Sequence, residues 1–106
     1  MAFFILQHLI NMYTISDENR RYLDAILHTF LCDRIVDIRG SVEKIAISEK
    51  NNKSFSETLK IRTEIERFLE KNGFGHLQDH VFIIDKRGID LKNAGSLAAY
   101  EKSTSN

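Results

Sequence analysis

The chain lacks several residues that often reveal a protein's class, because its 106 residues include no proline, no tryptophan and only one cysteine. Without proline there is no proline-rich linker and no polyproline ligand. The single cysteine, Cys32, excludes an internal disulfide, and its apolar neighbours predict a buried, reduced thiol in a cytoplasmic protein. Basic and acidic residues number 15 each, so the net charge is zero. This balance argues against a large nucleic-acid footprint and leaves room for a small basic face.

The first thirteen residues, MAFFILQHLINMY, are apolar enough to raise the question of a targeting signal. They have no basic beginning and no small-residue cleavage site, and Gln7, His8 and Asn11 interrupt them. The stretch is also too short to cross a bilayer, so we predict neither a signal peptide nor a membrane partner. Its helical spacing instead predicts a helix over residues 2–13 that belongs to the core or to a dimer interface.

The next region predicts a helix over residues 17–32, with Thr14 or Ser16 as its N-cap. Its apolar positions, spaced i, i+3, i+4, i+7 and i+8, are Leu23, Ile26, Leu27, Phe30 and Leu31. A β-branched, alternating run at residues 35–39 then predicts a short strand or an extended link. Beyond it, Ser41 can cap a short helix ending at Ser48, whereas a rival interpretation makes residues 45–47 a strand; so short a run leaves both open.

The second half of the chain carries stronger local signals. Ser54 and Glu57 have the spacing of a capping box, which predicts a helix that continues to Asn72 and ends at Gly73. Its buried stripe would contain Ile61, Ile65, Phe68 and Leu69. Residues 74–78 and 81–84 predict two strands of a hairpin around Asp79-His80.

The end of the chain predicts two further short elements after this hairpin. Asp85 can cap a short helix ending at Asn93, and residues 97–100 suggest a last docked turn. We expect the tail, residues 103–106, to be frayed.

One side of the Ser54–Asn72 helix could contact nucleic acid. Hydroxyl and basic side chains recur there along a single stripe, opposite the apolar one. They are Ser56, Lys60, Thr63, Arg67 and Lys71. Such side chains can contact phosphates or base edges. Three glutamates, Glu57, Glu64 and Glu70, lie close enough in sequence to pair with these cations, so a self-neutralised, solvated face is an equally good interpretation.

The hairpin could add contacts to the same partner. Lys86 and Arg87 follow its second strand, and together with His76, Gln78 and His80 they could flank DNA. The alternative is a surface turn with ordinary solubilising charges. The predicted DNA-binding residues are therefore Ser56, Lys60, Thr63, Arg67, Lys71, His80, Lys86 and Arg87.

The order of these elements resembles the winged-helix family of helix-turn-helix domains over roughly residues 17–95. The resemblance is carried by five elements in this order: the helix at 17–32, the strand Ile35–Ile38, the short helix containing Val42–Ala46, the helix Ser54–Asn72 and the hairpin Gly75–Ile84. Asp85-Lys86-Arg87-Gly88 stands where many small bacterial and archaeal members have a T-x-K-G turn. FLEKNGF resembles the usual end of the recognition helix. The resemblance implies a DNA-reading helix at 54–72 and a dimer-forming N-terminal addition.

Patterns that would indicate a reaction are weak. His76 and His80 are four residues apart in a hairpin, and no nearby cysteine or acid pair completes a metal site. His28 and Cys32 share a helical face, but no third group orients them as a catalytic pair. The sequence contains no phosphate-binding glycine loop and no nucleophile elbow. We therefore predict no enzymatic activity, no catalytic residue, no metal and no cofactor.

Taken together, the sequence predicts one α+β, mostly helical domain over residues 1–106, a winged helix with a two-stranded hairpin wing and an extra N-terminal helix at 1–13. The predicted function is binding of double-stranded DNA by a transcription regulator. The predicted homodimer forms through Phe3, Phe4, Leu6 and Ile10. The alternative is a non-enzymatic protein-interaction or dimerisation module on the same scaffold. A third possibility is a different α+β fold in which residues 35–47 form a hairpin.

Overall fold

The computed structural model describes residues 14–50 and 52–104. Over these residues the chain is α+β and mostly helical. Helix α1 is Asp17–Ala25 and continues as a π-helical turn at Ile26–Phe30; then follow β1 Ile35–Val36, α2 Ile38–Ser48, α3 Phe55–Lys71, β2 Gly75–Gln78, β3 Val81–Ile84, α4 Lys86–Ala94 and α5 Leu97–Thr104. The helix predicted at 2–13, with its proposed dimer contacts, lies outside the described residues.

The three strands form one antiparallel sheet in the order β1-β3-β2. Gln78 pairs with Val81, so the hairpin loop contains only Asp79 and His80. Asp79 adopts a left-handed backbone with φ of 56°, a conformation that aspartate tolerates better than most residues. With β1 between α1 and α2 and the hairpin after α3, the layout is winged-helix-like and confirms the predicted fold class.

The predicted helix at 17–32 ends earlier than its apolar pattern indicated. Ser16 is the N-cap, and its hydroxyl accepts a hydrogen bond from the Asn19 amide at 3.3 Å. After Ala25 the turn widens, because the Leu31 amide donates to the Ile26 carbonyl five residues back, at 3.0 Å. Leu31 itself is extended although its side chain is buried.

Cys32 lies beyond this helix, in the short link that leads to β1. Its amide donates to the Ile35 carbonyl and its carbonyl accepts from the Ile35 amide, both at 3.1 Å. This backbone pair turns the chain and leaves the Cys32 side chain exposed. The expectation of a buried thiol is therefore wrong, since apolar sequence neighbours do not fix which way a link residue points.

Helix α2 begins three residues before the predicted cap. Asp37 is the N-cap and accepts a hydrogen bond from the Gly40 amide at 3.1 Å, whereas Ser41 is buried inside the helix and donates to the Asp37 carbonyl. The strand predicted at 35–39 accordingly shrinks to two residues. Residues 45–47 are helical, so their interpretation as a strand, and the alternative fold that depended on it, are wrong.

Helix α3 is stabilised by local features at both ends. The capping box is complete: the Ser54 hydroxyl accepts from the Glu57 amide, and the Glu57 carboxylate accepts from the Ser54 amide. Gly73 has φ of 78° and turns the chain out of the helix as predicted. The predicted stripe of Ile61, Ile65, Phe68 and Leu69 is buried in a single core to which every α-helix, β1 and β3 contribute.

The last two helices pack against this core. Asp85 caps α4 by accepting from the amides of Arg87 and Gly88, as predicted. Gly88 is buried, and a Cβ there would lie 2.3 Å from the Phe74 carbonyl oxygen. Helix α5 continues through Thr104, so residues 103 and 104 belong to a helix rather than to a frayed tail. Among the helices of residues 14–50 and 52–104, none is both long and apolar enough to cross a lipid bilayer.

Candidate nucleic-acid interface

The outward side of α3 carries the predicted stripe. Burial of the opposite side in the core fixes the rotation of the helix, so the five stripe residues all face solvent. They are Ser56, Lys60, Thr63, Arg67 and Lys71. From Lys60 to Lys71 the helix advances about 16 Å, at about 1.5 Å per residue. The stripe is therefore one continuous, solvent-facing surface, as the spacing indicated.

Glu57, the first glutamate of this helix, is held by the helix N-terminus. Its carboxylate accepts from the Ser54 amide at 3.1 Å. This backbone hydrogen bond is the main reason that the pKa of the Glu57 carboxyl lies below its usual value, and the Ser54 hydroxyl, Lys53 and Lys60 act in the same direction. Glu57 thus acts first as a capping residue, with Lys60 a charged neighbour rather than a direct partner.

Glu64 is held by the beginning of α1. One carboxylate oxygen accepts from the Ser16 amide at 2.9 Å, and the other accepts from the Asn19 side-chain amide at 2.5 Å. Asn19 is buried, so this contact is part of the packing between α1 and α3. Both carboxylate oxygens of Glu64 are thus engaged by hydrogen bonds at the beginning of α1.

The cations of the stripe are not neutralised by direct ion pairs. Within residues 14–50 and 52–104, Lys60, Arg67 and Lys71 take part in no ion pair. An ion pair inside α3 joins Arg62 Nε to Glu66 Oε1 at 3.4 Å, and it lies on the flank of the helix. The self-neutralised face that the sequence allowed is therefore not formed through direct contacts.

Leu59 belongs to the same surface, although its sequence position was not singled out. Its side chain is 37% exposed and lines a shallow groove on the outer side of α3. The other groove residues are Lys60, Thr63, Glu64 and Arg67. The sequence does contain a signal for the outward position of Leu59. Leu59 does not share the i, i+4, i+7 and i+8 spacing of the buried residues that start at Ile61, so it lies on a different side of the helix.

The hairpin tip and the basic pair after β3 lie at opposite ends of the hairpin. His80 is exposed in the two-residue loop, whereas Lys86 and Arg87 follow Ile84, whose partner is Gly75 at the start of β2. Four strand residues separate the two ends by about 13 Å. The structure therefore does not gather these three predicted residues into one contact site.

Arg87 has contacts within the protein that the sequence did not indicate. Its Nε donates to the Tyr100 hydroxyl at 3.1 Å, and its guanidinium carbon lies 5.4 Å from the centre of the Phe74 ring. A Cβ on Gly73 would lie 3.5 Å from Arg87 Nη1, so this guanidinium borders the C-terminal end of α3. Arg87 is thus a packed neighbour of the end of the stripe, while Lys86 is simply exposed.

A second hollow lies between the start of α2, the flank of α3 and the hairpin tip. Burial raises the pKa of the Glu66 carboxyl there, Arg62 partly opposes the rise, and Glu70 and Asp37 add to it. Both acidic and basic side chains surround the hollow. Its lining consists of Asp37, Arg39, Arg62, Glu66, Leu77, Asp79 and His80. This mixture gives no surface of a single charge sign.

Among residues 14–50 and 52–104, the histidine and cysteine side chains are dispersed or used in packing. His28 Nε2 forms a hydrogen bond with the Gly95 carbonyl and so ties the π-helical turn to the link before α5. Cys32 is outside the helix that carries His28, so the two do not share a helical face. Within the part of the chain that the structure describes, no three His, Cys, Asp or Glu side chains are grouped so that they could hold a metal ion.

Comparisons with protein-family models, with curated proteins and with solved structures gave no match for this chain.

Proposed function

We propose that this protein binds double-stranded DNA through the outward face of α3 and acts as a cytoplasmic transcription regulator rather than as an enzyme. The observation that supports this most directly is the state of the stripe cations. Lys60, Arg67 and Lys71 have no ion-pair partner among the described residues, while the nearby Glu57 and Glu64 are held by other groups. In this net-neutral protein the three stripe cations are therefore not held by direct ion pairs of the described residues and can contact an anionic partner.

The shape of this surface suits a DNA groove. A helix fits the B-DNA major groove, which is about 12 Å wide, and its outward side chains then reach base edges and the flanking phosphates. Lys60, Arg67 and Lys71 would contact phosphates, while Ser56 and Thr63 can donate to phosphates or bases. His80 at the hairpin tip offers one further contact beside the helix.

The test is a pair of charge-matched double variants in the full chain. Lys60→Ala with Arg67→Ala should weaken binding to duplex DNA and flatten the plot of log affinity against log salt by about 2 units, because two phosphate contacts are lost. Lys44→Ala with Lys92→Ala removes the same charge elsewhere and should leave the slope close to that of the wild type. An unchanged affinity and slope in the first variant would contradict the assignment of this face.

A second candidate, a protein-interaction or dimerisation module on the same scaffold, is favoured by two exposed apolar side chains. Phe55 is 63% exposed at the start of α3, and Ile47 is 75% exposed on α2. Both line one hollow together with Glu43 and Lys53. This candidate predicts no affinity for duplex DNA at physiological salt, so the same binding measurement distinguishes it from the first.

A further inference from the structure

We infer that Leu59 and Thr63 form an apolar spot on α3 that recognises the C5-methyl group of thymine. The inference rests on the proposed DNA binding and makes it more specific: the face would favour a T·A pair at one position of its site. Lys60 and Arg67 would supply affinity for the backbone, and the two apolar groups would supply the preference for one base.

Leu59 is only partly buried by folding. The core side of α3 is occupied by Ile61, Ile65, Phe68 and Leu69, and Leu59 lies out of phase with them with its side chain partly in water. A partner that covers the exposed part of Leu59 would remove further apolar surface from water, which is favourable. An apolar side chain on an otherwise polar face therefore suits a partner that offers an apolar group.

Thr63 lies one helical turn after Leu59, and residues four apart are neighbours on a helix surface. Both line the shallow groove on the outer side of α3. The Thr63 methyl and the Leu59 methyls can therefore border one small apolar spot, while the Thr63 hydroxyl remains available for hydrogen bonding.

The charges around this spot suit DNA. Lys60 and Arg67 line the same groove, one on each side of Thr63 in sequence. Glu64 also lines it, but its two carboxylate oxygens accept from Ser16 and Asn19. The groove thus combines apolar groups with two cations outside any ion pair of the described residues, and the oxygens of its one carboxylate accept hydrogen bonds from Ser16 and Asn19. This combination fits an anionic partner with an apolar feature.

Thymine offers this combination. In the major groove each base edge presents hydrogen-bonding groups, and among the four standard bases only thymine adds a methyl, which apolar side chains and threonine methyl groups contact. Replacing thymine by uracil removes this methyl and leaves the hydrogen-bonding groups unchanged. The substitution therefore isolates the contact that we propose.

The experiment begins by selecting bound sequences from a random duplex library with the full-length protein. In the selected duplex, each dT is then replaced by dU, one position at a time. We expect a loss of about fourfold in affinity at one or two adjacent positions, as removal of one buried methyl implies. In Leu59→Ala the same replacement should change affinity by less than about 1.5-fold, and Thr63→Ser, which removes one methyl and keeps the hydroxyl, should reduce the difference.

Ile47→Ala is the matched control, since it removes another exposed aliphatic side chain from α2 and should retain the full dT-to-dU difference. Binding without a methyl-dependent position, or a difference that persists in Leu59→Ala, would overturn this inference and leave DNA binding intact. Absence of any duplex binding by the wild-type protein would instead overturn the proposed function together with the inference.

Discussion

At the scale of single residues, two glutamates of α3 are held by hydrogen bonds rather than by the stripe cations. Sequence spacing places Glu57 and Glu64 beside the stripe cations, but each carboxylate has nearer hydrogen-bond donors in the structure. A carboxylate that accepts hydrogen bonds in a fixed geometry is less free to follow a lysine or arginine side chain through solvent. The charge pattern therefore allowed direct ion pairs on this face that the described residues do not form.

Glu64 is expected to contribute to stability through this contact. Glu64→Ala would leave the buried Asn19 side-chain amide without its acceptor, which should lower the free energy of unfolding by about 1–3 kcal/mol. Glu70→Ala, an exposed change on the same helix, should stay within about 0.5 kcal/mol of the wild type. Urea denaturation at neutral pH measures both; equal effects of the two variants would contradict the role given to Glu64.

At the scale of elements, helix α3 is specified at its beginning by the Ser54–Glu57 capping box. The pKa of Glu57 is lowered in the folded protein, chiefly by the Ser54 amide, so folding favours the ionised carboxylate. The stability linked to this shift is present above the pKa of an unfolded glutamate, about 4.3, and is lost as the pH falls through the lower folded value.

Glu57→Gln should therefore be less stable than the wild type near pH 7, and the difference should shrink in acid. The measurement is urea denaturation of both proteins between pH 7 and pH 3. Glu70→Gln, which removes an exposed charge without a capping role, is the matched control and should stay within about 0.5 kcal/mol of the wild type near pH 7. A Glu57→Gln difference that grows on acidification would contradict the capping argument.

The elements that the sequence predicted best are those with local signals. The caps at Ser54 and Asp85, and the stop at Gly73, each involve residues within a few positions of one another. The extent of β1 was overestimated because its pairing is distant: Val36 pairs with Phe82 on β3. No local sequence pattern encodes a pairing over such a separation, so the end of β1 was misplaced. The beginning of α2 was misplaced for a different reason, because Asp37 caps the helix in place of Ser41.

In the candidate site, too, the local features were predictable from the sequence and the long-range contacts were not. The stripe on α3 follows from helical periodicity, which is local, so its five residues were predictable. The hydrogen bonds of Glu64 to Ser16 and Asn19 span 48 and 45 positions, and the packing of Arg87 on Tyr100 joins two helices. These contacts exist only once the elements have docked, so the sequence pattern could not separate free charges from engaged ones.

At the scale of the whole molecule, the described residues form one core. The beginning of α1 is hydrogen-bonded to α3. Ser16, three residues after the first thirteen, donates to Glu64 on α3. We propose that those thirteen residues form the homodimer contact through their apolar side chains. These are Phe3, Phe4, Leu6 and Ile10.

Deletion of residues 1–13 should convert the dimer into a folded monomer. Analytical ultracentrifugation of the wild-type and shortened chains gives the oligomeric state, and far-UV circular dichroism checks that the shortened chain still folds. Ile47→Asp in the full chain, which changes an exposed apolar residue outside the segment, should remain dimeric. A shortened chain that stays dimeric, or a monomeric wild type, would contradict this interface.

In the proposed DNA complex, the two-residue hairpin loop and the single outward face of α3 would limit how much DNA sequence one subunit recognises. About 16 Å of helix spans about five base pairs, at about 3.4 Å for each. A word of five base pairs occurs by chance about once in 10³ base pairs, which is too often to mark one site among the roughly 10⁶ or more that a genome offers. Two such five-base-pair sequences at a fixed spacing would occur together by chance only about once in 10⁶ base pairs. Recognition of a single genomic site would then require the homodimer. The distance between the α3 helices of its two subunits would fix the spacing of the two recognised sequences and would matter as much for specificity as the contacts of either helix.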